Sequence, residues 1–540
     1  MTSLLAQMND QPIKLRSIVE RLAQLPNNSI VFFNKRGQAV KKEYPVLHAD
    51  VKEAAQKLRG WGGEAGMRIG ILATNSYEWV VYHLALLDLG CTSVCLAEEF
   101  GSETREELVE KFGLSLLLIL QSDTWPKLTP GKWTAFMDAD NSAETRVREY
   151  KAPPLADDYV PSLVFSSGTT GKLKCMIVNY RGVEDTIASF QKLFPTRSDD
   201  SILIFLHLSG IQQHFMLYAG LFYGTDIHLI KPPRLFLTFK ELRPTLCVGP
   251  PLLYETIHNQ FKKAVANLRP PQRVAFHVLS GLANVAPSEF VRERLCQMIY
   301  KRLYESLGGR IRIMWTGMAP IKRSTLDFFA KARLPLYEAY GLSECGVISS
   351  NTPTHNKLSS VGRVVSEDSV YLAEDGEIVV HRDNLPTMGY WDGTADAAKS
   401  TYLEPNTVAT GDIGRFDEDG FLYLVGRKKD IILTKQGYKL HPESLESQIN
   451  ASPDVEHSVI FGNDLPYLVA VISVQGPVSD DLKARIEAHI DKINSELPAA
   501  GRVVRFHITD EQFTMQNGFM TRTLKLNRTA LFKHFEKELV

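Results

Sequence analysis

Cysteine is scarce and scattered in this 540-residue chain. The 6 cysteines, Cys91, Cys95, Cys175, Cys247, Cys296 and Cys345, form no C-x-x-C pair and stand near no histidine cluster. That excludes a disulfide framework and a zinc knuckle, and implies reduced, mostly buried thiols. No apolar segment reaches about 18 residues without a charge, so no membrane span is expected. The amino terminus, Met1-Thr2-Ser3-Leu4-Leu5-Ala6-Gln7, has neither a basic start nor a long apolar run, so no signal peptide is read. With the reduced thiols, this points to a cytoplasmic protein. Charge of one sign is lacking too. Lys+Arg 61 against Asp+Glu 62 gives a net charge of -1, which argues against a nucleic-acid surface or a strongly acidic partner.

What is present reads as an ordinary globular protein, 44% hydrophobic and 23% charged. The length exceeds what one core serves, so two or more domains are expected. Helical and extended patterns alternate through the first half. Val51, Ala54, Ala55, Leu58 and Trp61 recur at helical spacing, followed by a strand at 69–73, a helix at 79–89 stopped by Gly90, and a strand at 92–96. After residue 200 the alternation resumes with strands at 202–206, 227–230 and 246–248 and a helix at 211–223 ended by Gly224. This order predicts parallel, doubly wound sheets. Their ligands gather where strands break at their carboxyl ends, as at Gly249-Pro250-Pro251.

One stretch organises the rest: Ser166-Ser167-Gly168-Thr169-Thr170-Gly171-Lys172-Leu173-Lys174. It lies between the apolar runs Leu163-Val164-Phe165 and Met176-Ile177-Val178. Two glycines free the backbone to turn its N–H groups onto one anion, hydroxyls add donors, and Lys174 adds a full charge. The same residues also suit a hairpin loop with no ligand. The G-x-x-x-x-G-K-[ST] nucleotide loop is excluded, because the spacing differs and no helix follows.

Three later stretches complete the pattern. Thr316-Gly317-Met318-Ala319-Pro320 follows an apolar strand. Tyr337-Glu338-Ala339-Tyr340-Gly341-Leu342-Ser343-Glu344 can present an aromatic face, a hydroxyl and a carboxylate within one turn. Asp417-Glu418-Asp419-Gly420 between extended runs signals a hairpin that brings Asp412 and Arg427 to the same end.

In this order, over nearly the whole chain, these motifs resemble the adenylate-forming superfamily, which contains acyl-CoA synthetases, luciferases and peptide-synthetase adenylation domains. The version of Asn517-Gly518-Phe519-Met520-Thr521-Arg522-Thr523-Leu524-Lys525 resembles the long-chain acyl-CoA synthetases, as do the helix formers at 265–310. The resemblance implies a large amino-terminal domain, 1–427, of doubly wound sheets with a small β-barrel-like part, joined by a hinge at Lys429 to a small α+β domain, 428–540. It implies that Ser166, Ser167, Gly168, Thr169, Thr170, Gly171 and Lys174 hold the β- and γ-phosphates of ATP. Gly317, Ala319, Glu338, Ala339, Tyr340 and Gly341 would flank the adenine, with Tyr340 stacked on it. Ser343 would hold the α-phosphate, Glu344 would bind Mg²⁺, and Asp412 and Arg427 would take the ribose. Lys525, from the small domain, would reach the α-phosphate and the attacking carboxylate, making Lys174, Glu344 and Lys525 the catalytic set. The Gly437-Tyr438-Lys439-Leu440-His441-Pro442-Glu443 loop would meet the acceptor thiol.

The implied activity is activation of a small-molecule carboxylic acid as an acyl-adenylate, with pyrophosphate released, then transfer to an acceptor, CoA first. No carrier domain is read after Lys525, so the acceptor is expected in trans. Two departures keep other acceptors open. The usual Pro-Lys-Gly is Leu173-Lys174-Cys175 here, and Gly210 stands where many long-chain enzymes have histidine. Both would suit an amide ligase like coronafacic acid ligase, in which an amino acid captures the adenylate. A carrier-protein thiol is a further alternative, and an inactive binding protein a remote one. His207 and His214 receive no role.

Overall fold

A computed structural model of the chain describes residues 13–120, 123, 125, 128, 134–138, 159–167, 173–366, 369–391, 399–463, 465–514, 516–520 and 526–539. The expected calls on Gly168, Thr169, Thr170, Gly171 and Lys525 lie outside the described residues, as does the Ser167 side chain.

Two large sheets form the amino-terminal bulk. The seven-stranded sheet runs in the order Thr387–Tyr390, Leu173–Val178, Ser162–Ser167, Thr92–Leu96, Arg68–Leu72, Leu116–Ile119, Thr134–Phe136. It is parallel from Ser162–Ser167 onward and antiparallel at the Leu173–Val178 end. The nine-stranded sheet is parallel through its middle, where Leu336–Leu342, Ile313–Thr316, Leu246–Gly249, Ser201–Ile204, Asp226–Leu229 and Ser29–Phe33 lie side by side. Some of these strands, such as Ser201–Ile204 and Ile313–Thr316, are buried along their whole length, as parallel strands covered on both faces are.

The helices between the sheets follow from local chemistry. Ser76 caps Tyr77–Leu89 by accepting from the Trp79 amide, and Gly90, at φ 73°, closes it in the left-handed region. Ile211–Tyr223 ends in the same way at Gly224, φ 74°. Asn75 fastens the two sheets together. Its amide donates to the Leu206 carbonyl at 2.9 Å, and its carbonyl accepts from the Leu208 amide at 3.0 Å. Asn75 is therefore a structural residue.

The small barrel-like part is a five-stranded antiparallel sheet built around Thr407–Phe416, which pairs with Glu377–His381, Tyr402–Glu404 and Leu422–Arg427. The carboxy-terminal domain has its own three-stranded sheet, Val455–Phe461, Leu468–Val474 and Val503–Thr509, with the helix Asp480–Ser495 burying Leu482, Ile486, Ile490 and Ile493. Among the described residues no helix is long and apolar enough to cross a membrane. All six cysteines are free and buried.

Candidate functional site

The site gathers at the carboxyl ends of the parallel strands. Ser162–Ser167 and Leu173–Val178 pair antiparallel, with Ser166 opposite Lys174, and so flank the glycine-rich stretch, whose residues 168–172 lie outside the described residues. Lys174 extends towards Tyr390, its Nζ 3.2 Å from the phenol oxygen. Tyr390 in turn donates to Glu344 Oε1 at 2.8 Å. The result is a chain of ammonium, phenol and carboxylate. Burial first, and then the Glu344 charge, push the Tyr390 phenol well above its ordinary range. Sequence reading missed Tyr390, which is 216 positions from Lys174. It arrives because Thr387–Tyr390 pairs with Leu173–Val178, and no local signal announces that pairing.

Glu344 follows the strand Leu336–Leu342, which carries the second motif. A bulge falls between Tyr340 and Gly341, and a Cβ on Gly341 would lie 2.4 Å from the Gly346 carbonyl. Glycine is thus required where the strand doubles back. That turn buries Ser343 and Glu344, and Gln212 donates to Ser343 Oγ at 3.2 Å. Gln212 is a second residue missed by sequence reading. Thr316 stands opposite Glu338 in the parallel pair, and a Cβ on Gly317 would approach the Ala339 carbonyl to 2.9 Å, so these two segments touch. Ala319 is half-buried beyond them. Burial pushes the Glu338 carboxyl up to about 8, with Ser359 and Arg323 opposing.

Asp412 and Arg427 are direct partners across the predicted hairpin. Arg427 Nε lies 3.0 Å from Asp412 Oδ1, and the Tyr340 hydroxyl donates to Asp412 Oδ2 at 2.7 Å. The carboxylate is 7% exposed, so both bonds form in a largely desolvated setting.

Lys429 sits in the 3₁₀ turn Lys428–Asp430, just after Arg427 in the chain. Burial lowers its ammonium pKa; Arg427 and Lys174 add to the shift, while Asp430 and Asp412 oppose it. Gly426 abuts the small domain, where a Cβ would meet Glu443 Oε2 at 2.7 Å, and burial pushes Glu443 up to about 7. The flanks of the Lys525 loop are pinned: Met520 bridges Leu526, and Arg528 holds Glu446 through two contacts of 2.7 Å.

Beside Tyr340 and Gly317 lies a narrow, mostly apolar cavity of about 90 Å³, lined among others by Phe190, Gln212, Gln213, Met216, Trp315 and Thr316. Gln213 Oε1 and Thr316 Oγ1 are buried there with no partner among the described residues. His207 and His214 stay out of the site. His207 Nδ1 lies 2.9 Å from Ser209 Oγ, and burial lowers its pKa. His214 contacts the Leu208 carbonyl at 2.7 Å and is pushed down to about 4 by burial.

Among the described residues no group of three or more His, Cys, Asp or Glu could hold a metal by itself. Glu344 offers a single buried carboxylate. This fits Mg²⁺ held mostly by phosphate oxygens and water.

The AMP-binding enzyme family model matches residues 19–391, and the AMP-binding enzyme C-terminal domain model matches residues 429–539. The chain is 25% identical to Long-chain-fatty-acid--CoA ligase FadD15 of Mycobacterium bovis, over 91% of this chain and 90% of that protein. It is 25% identical to Long-chain-fatty-acid--CoA ligase 5 of Mus musculus, over 99% of this chain and 93% of that protein. O-succinylbenzoate Coenzyme A Synthetase (MenE) from Bacillus subtilis, in complex with ATP and magnesium ion, has the same fold, with TM-score 0.69 at 20% identity over 95% of this chain and 98% of that one. With the family model covering most of its length, the chain belongs to the AMP-binding enzymes, the adenylate-forming superfamily that its motifs resemble.

Proposed function

We propose that this protein activates a carboxylic acid with MgATP and passes the acyl group to CoA. The observation that carries the reading is a pair of polar chains, Lys174–Tyr390–Glu344 and Tyr340–Asp412–Arg427, joined through the strand Leu336–Leu342 and the turn after it, which carry Tyr340 and Glu344. One set offers a cation and a carboxylate to a polyphosphate, the other a ring and a carboxylate to a nucleoside.

In the first step the substrate carboxylate attacks the α-phosphorus, the new O–P bond forms, and the bond to pyrophosphate breaks. Two anions must meet, so positioning and charge neutralisation carry most of the catalysis. Asp412 accepts the ribose hydroxyls, since each carboxylate oxygen keeps lone pairs beyond those used by Tyr340 and Arg427. Ser343 donates to the α-phosphate, and Lys174 with the glycine-rich stretch holds the β- and γ-phosphates. Glu344 would hold Mg²⁺, which would supply positive charge to offset that of the leaving pyrophosphate. Lys525 supplies the remaining positive charge from the small domain. The acyl group enters the apolar cavity between Phe190 and Trp315, where Gln213 and Thr316 can meet a polar group on the acid.

In the second step the CoA thiolate attacks the acyl carbon and AMP leaves. We place the domain boundary between residues 427 and 428, with Lys429 as the hinge about which 428–540 turns between the steps. The family match and the two CoA ligases favour CoA over an amine or a carrier-protein thiol. The six buried free thiols suit the reducing cytoplasm.

The test is acid-dependent ATP–pyrophosphate exchange across a panel of acids, followed by addition of CoA and mass analysis. Exchange with formation of an acyl-CoA and AMP is expected. ATP binding with no exchange for any acid would refute the assignment.

A further inference from the structure

Residues 262–310 carry nine basic and three acidic residues in a chain whose net charge is -1. They fold as Pro270–Asn284, Glu289–Ile299 and Lys301–Ser306, after the helix Pro251–Ala266. The first two of these form a hairpin. Its inner face is ordinary core, where Ala283, Cys296 and Tyr300 are buried and Phe276, Leu295 and Ile299 pack against the same cluster. A surface helix with one apolar face normally turns charged and polar residues outward. Here the outer face is apolar as well.

Val274, Val278 and Leu282 follow one another at four-residue spacing along Pro270–Asn284, and each is more than half exposed. Val285, 76% exposed, continues the stripe into the turn. On the second helix Phe290 and Met298, two turns apart, are 67% and 57% exposed. Six large apolar side chains thus stand in water within 25 positions. Single exposed apolar residues need no explanation, but a stripe of four along one helix and the turn after it, with two more on the helix paired with it, marks a contact surface.

Charge decides what the surface meets. Glu289 is already tied to Arg292 and Arg333, and Glu305 to Lys301. Arg269, Arg273, Arg294 and Arg302 form no ion pair among the described residues. Apolar side chains beside uncompensated arginines match the boundary of an anionic bilayer, where the former enter the acyl region and the latter meet headgroup phosphates. A second copy of the chain is a poorer match, because a two-fold contact sets like charge against like.

We propose that the helical hairpin 270–299 is a peripheral docking surface for anionic phospholipid membranes. It contains none of the residues assigned to ATP, and its test needs no turnover, so its failure and the failure of the catalytic reading are separable.

The experiment is flotation of the full chain with phosphatidylcholine vesicles, with and without one-third phosphatidylglycerol, at low and high salt. Binding to the anionic vesicles should exceed binding to neutral ones by about tenfold or more and fall at high salt. Leu282→Ser with Phe290→Ser should reduce it about tenfold, and Arg273→Glu with Arg294→Glu should reduce it further, with near- and far-UV circular dichroism unchanged. No flotation with anionic vesicles, or equal flotation of the variants, would overturn the proposal. A wild-type dimer that Leu282→Ser with Phe290→Ser converts to a monomer would overturn it as well, and would assign the face to a second copy.

Discussion

Replacing Asp412 by Asn tests the nucleoside end of the site with the smallest change of shape. The wild-type carboxylate takes Arg427 Nε at 3.0 Å and the Tyr340 hydroxyl at 2.7 Å while almost fully buried. Asn keeps one acceptor oxygen. Arg427 can only donate, so that oxygen must face Arg427, and the amide NH₂ must turn to the Tyr340 oxygen, which can accept. The fold therefore survives, while one acceptor for the ribose hydroxyls becomes a donor. A hydrogen bond to a charged group contributes about 1.5–3 kcal/mol. At about 1.4 kcal/mol per decade, the KM for ATP should rise about 10- to 150-fold. The KM for the acid should stay within about twofold, because no acid contact changes. ATP titration of the pyrophosphate-exchange rate reads both. A folded variant whose KM for ATP moves less than about threefold would refute the placement of ribose at Asp412.

Lys525→Ala should lower acid-dependent pyrophosphate exchange by about 10²–10³ while leaving nucleotide binding in place; exchange at the wild-type rate would remove Lys525 from the mechanism. Tyr390→Phe takes away the acceptor of Lys174 and the donor to the buried Glu344 carboxylate. It should cost about 1–3 kcal/mol of stability, seen as a lower urea midpoint, and an unchanged midpoint would contradict the bridge. Glu338 sets a pH dependence. Its folded-state value, about 8, lies above the ordinary carboxylate value of 4.5. The folded chain therefore holds a proton that the unfolded chain releases, and stability is lost as pH rises between these limits, by up to about 1.4 kcal/mol per unit. Glu338→Gln removes this loss, so its urea midpoint should gain on wild type from pH 5 to pH 8; a constant difference would contradict it.

Much of the fold was legible because local chemistry dictated it. The helix at 211–223, the strand at 92–96 and the Asp417–Gly420 turn carry their own periodicity and punctuation, and each was observed where expected. Boundaries shifted where tertiary contacts extended a helix. Tyr44–Gly60 starts earlier than its apolar spacing indicated, with Tyr44 buried and its hydroxyl on the Thr225 carbonyl. Gly60 is the last helical residue, and the chain turns at Trp61, which the apolar spacing places in the helix. The Asp412–Arg427 pair was foreseeable because one hairpin contains both. Tyr390 and Gln212 were not, because each reaches the site through pairing or packing between segments far apart in the chain. The exposed apolar stripe at 274–285 was equally hidden, since helical spacing alone does not reveal which face a helix buries.

The central claim is that Lys174 and Glu344 at one end, and Tyr340, Asp412 and Arg427 at the other, hold one nucleotide. A crystal structure with Mg²⁺ and a non-hydrolysable ATP analogue tests this most directly. The account predicts ribose hydroxyls on Asp412, the metal on Glu344 and the terminal phosphates at Lys174. A nucleotide that touches only one of these two groups, or binds elsewhere, would contradict it.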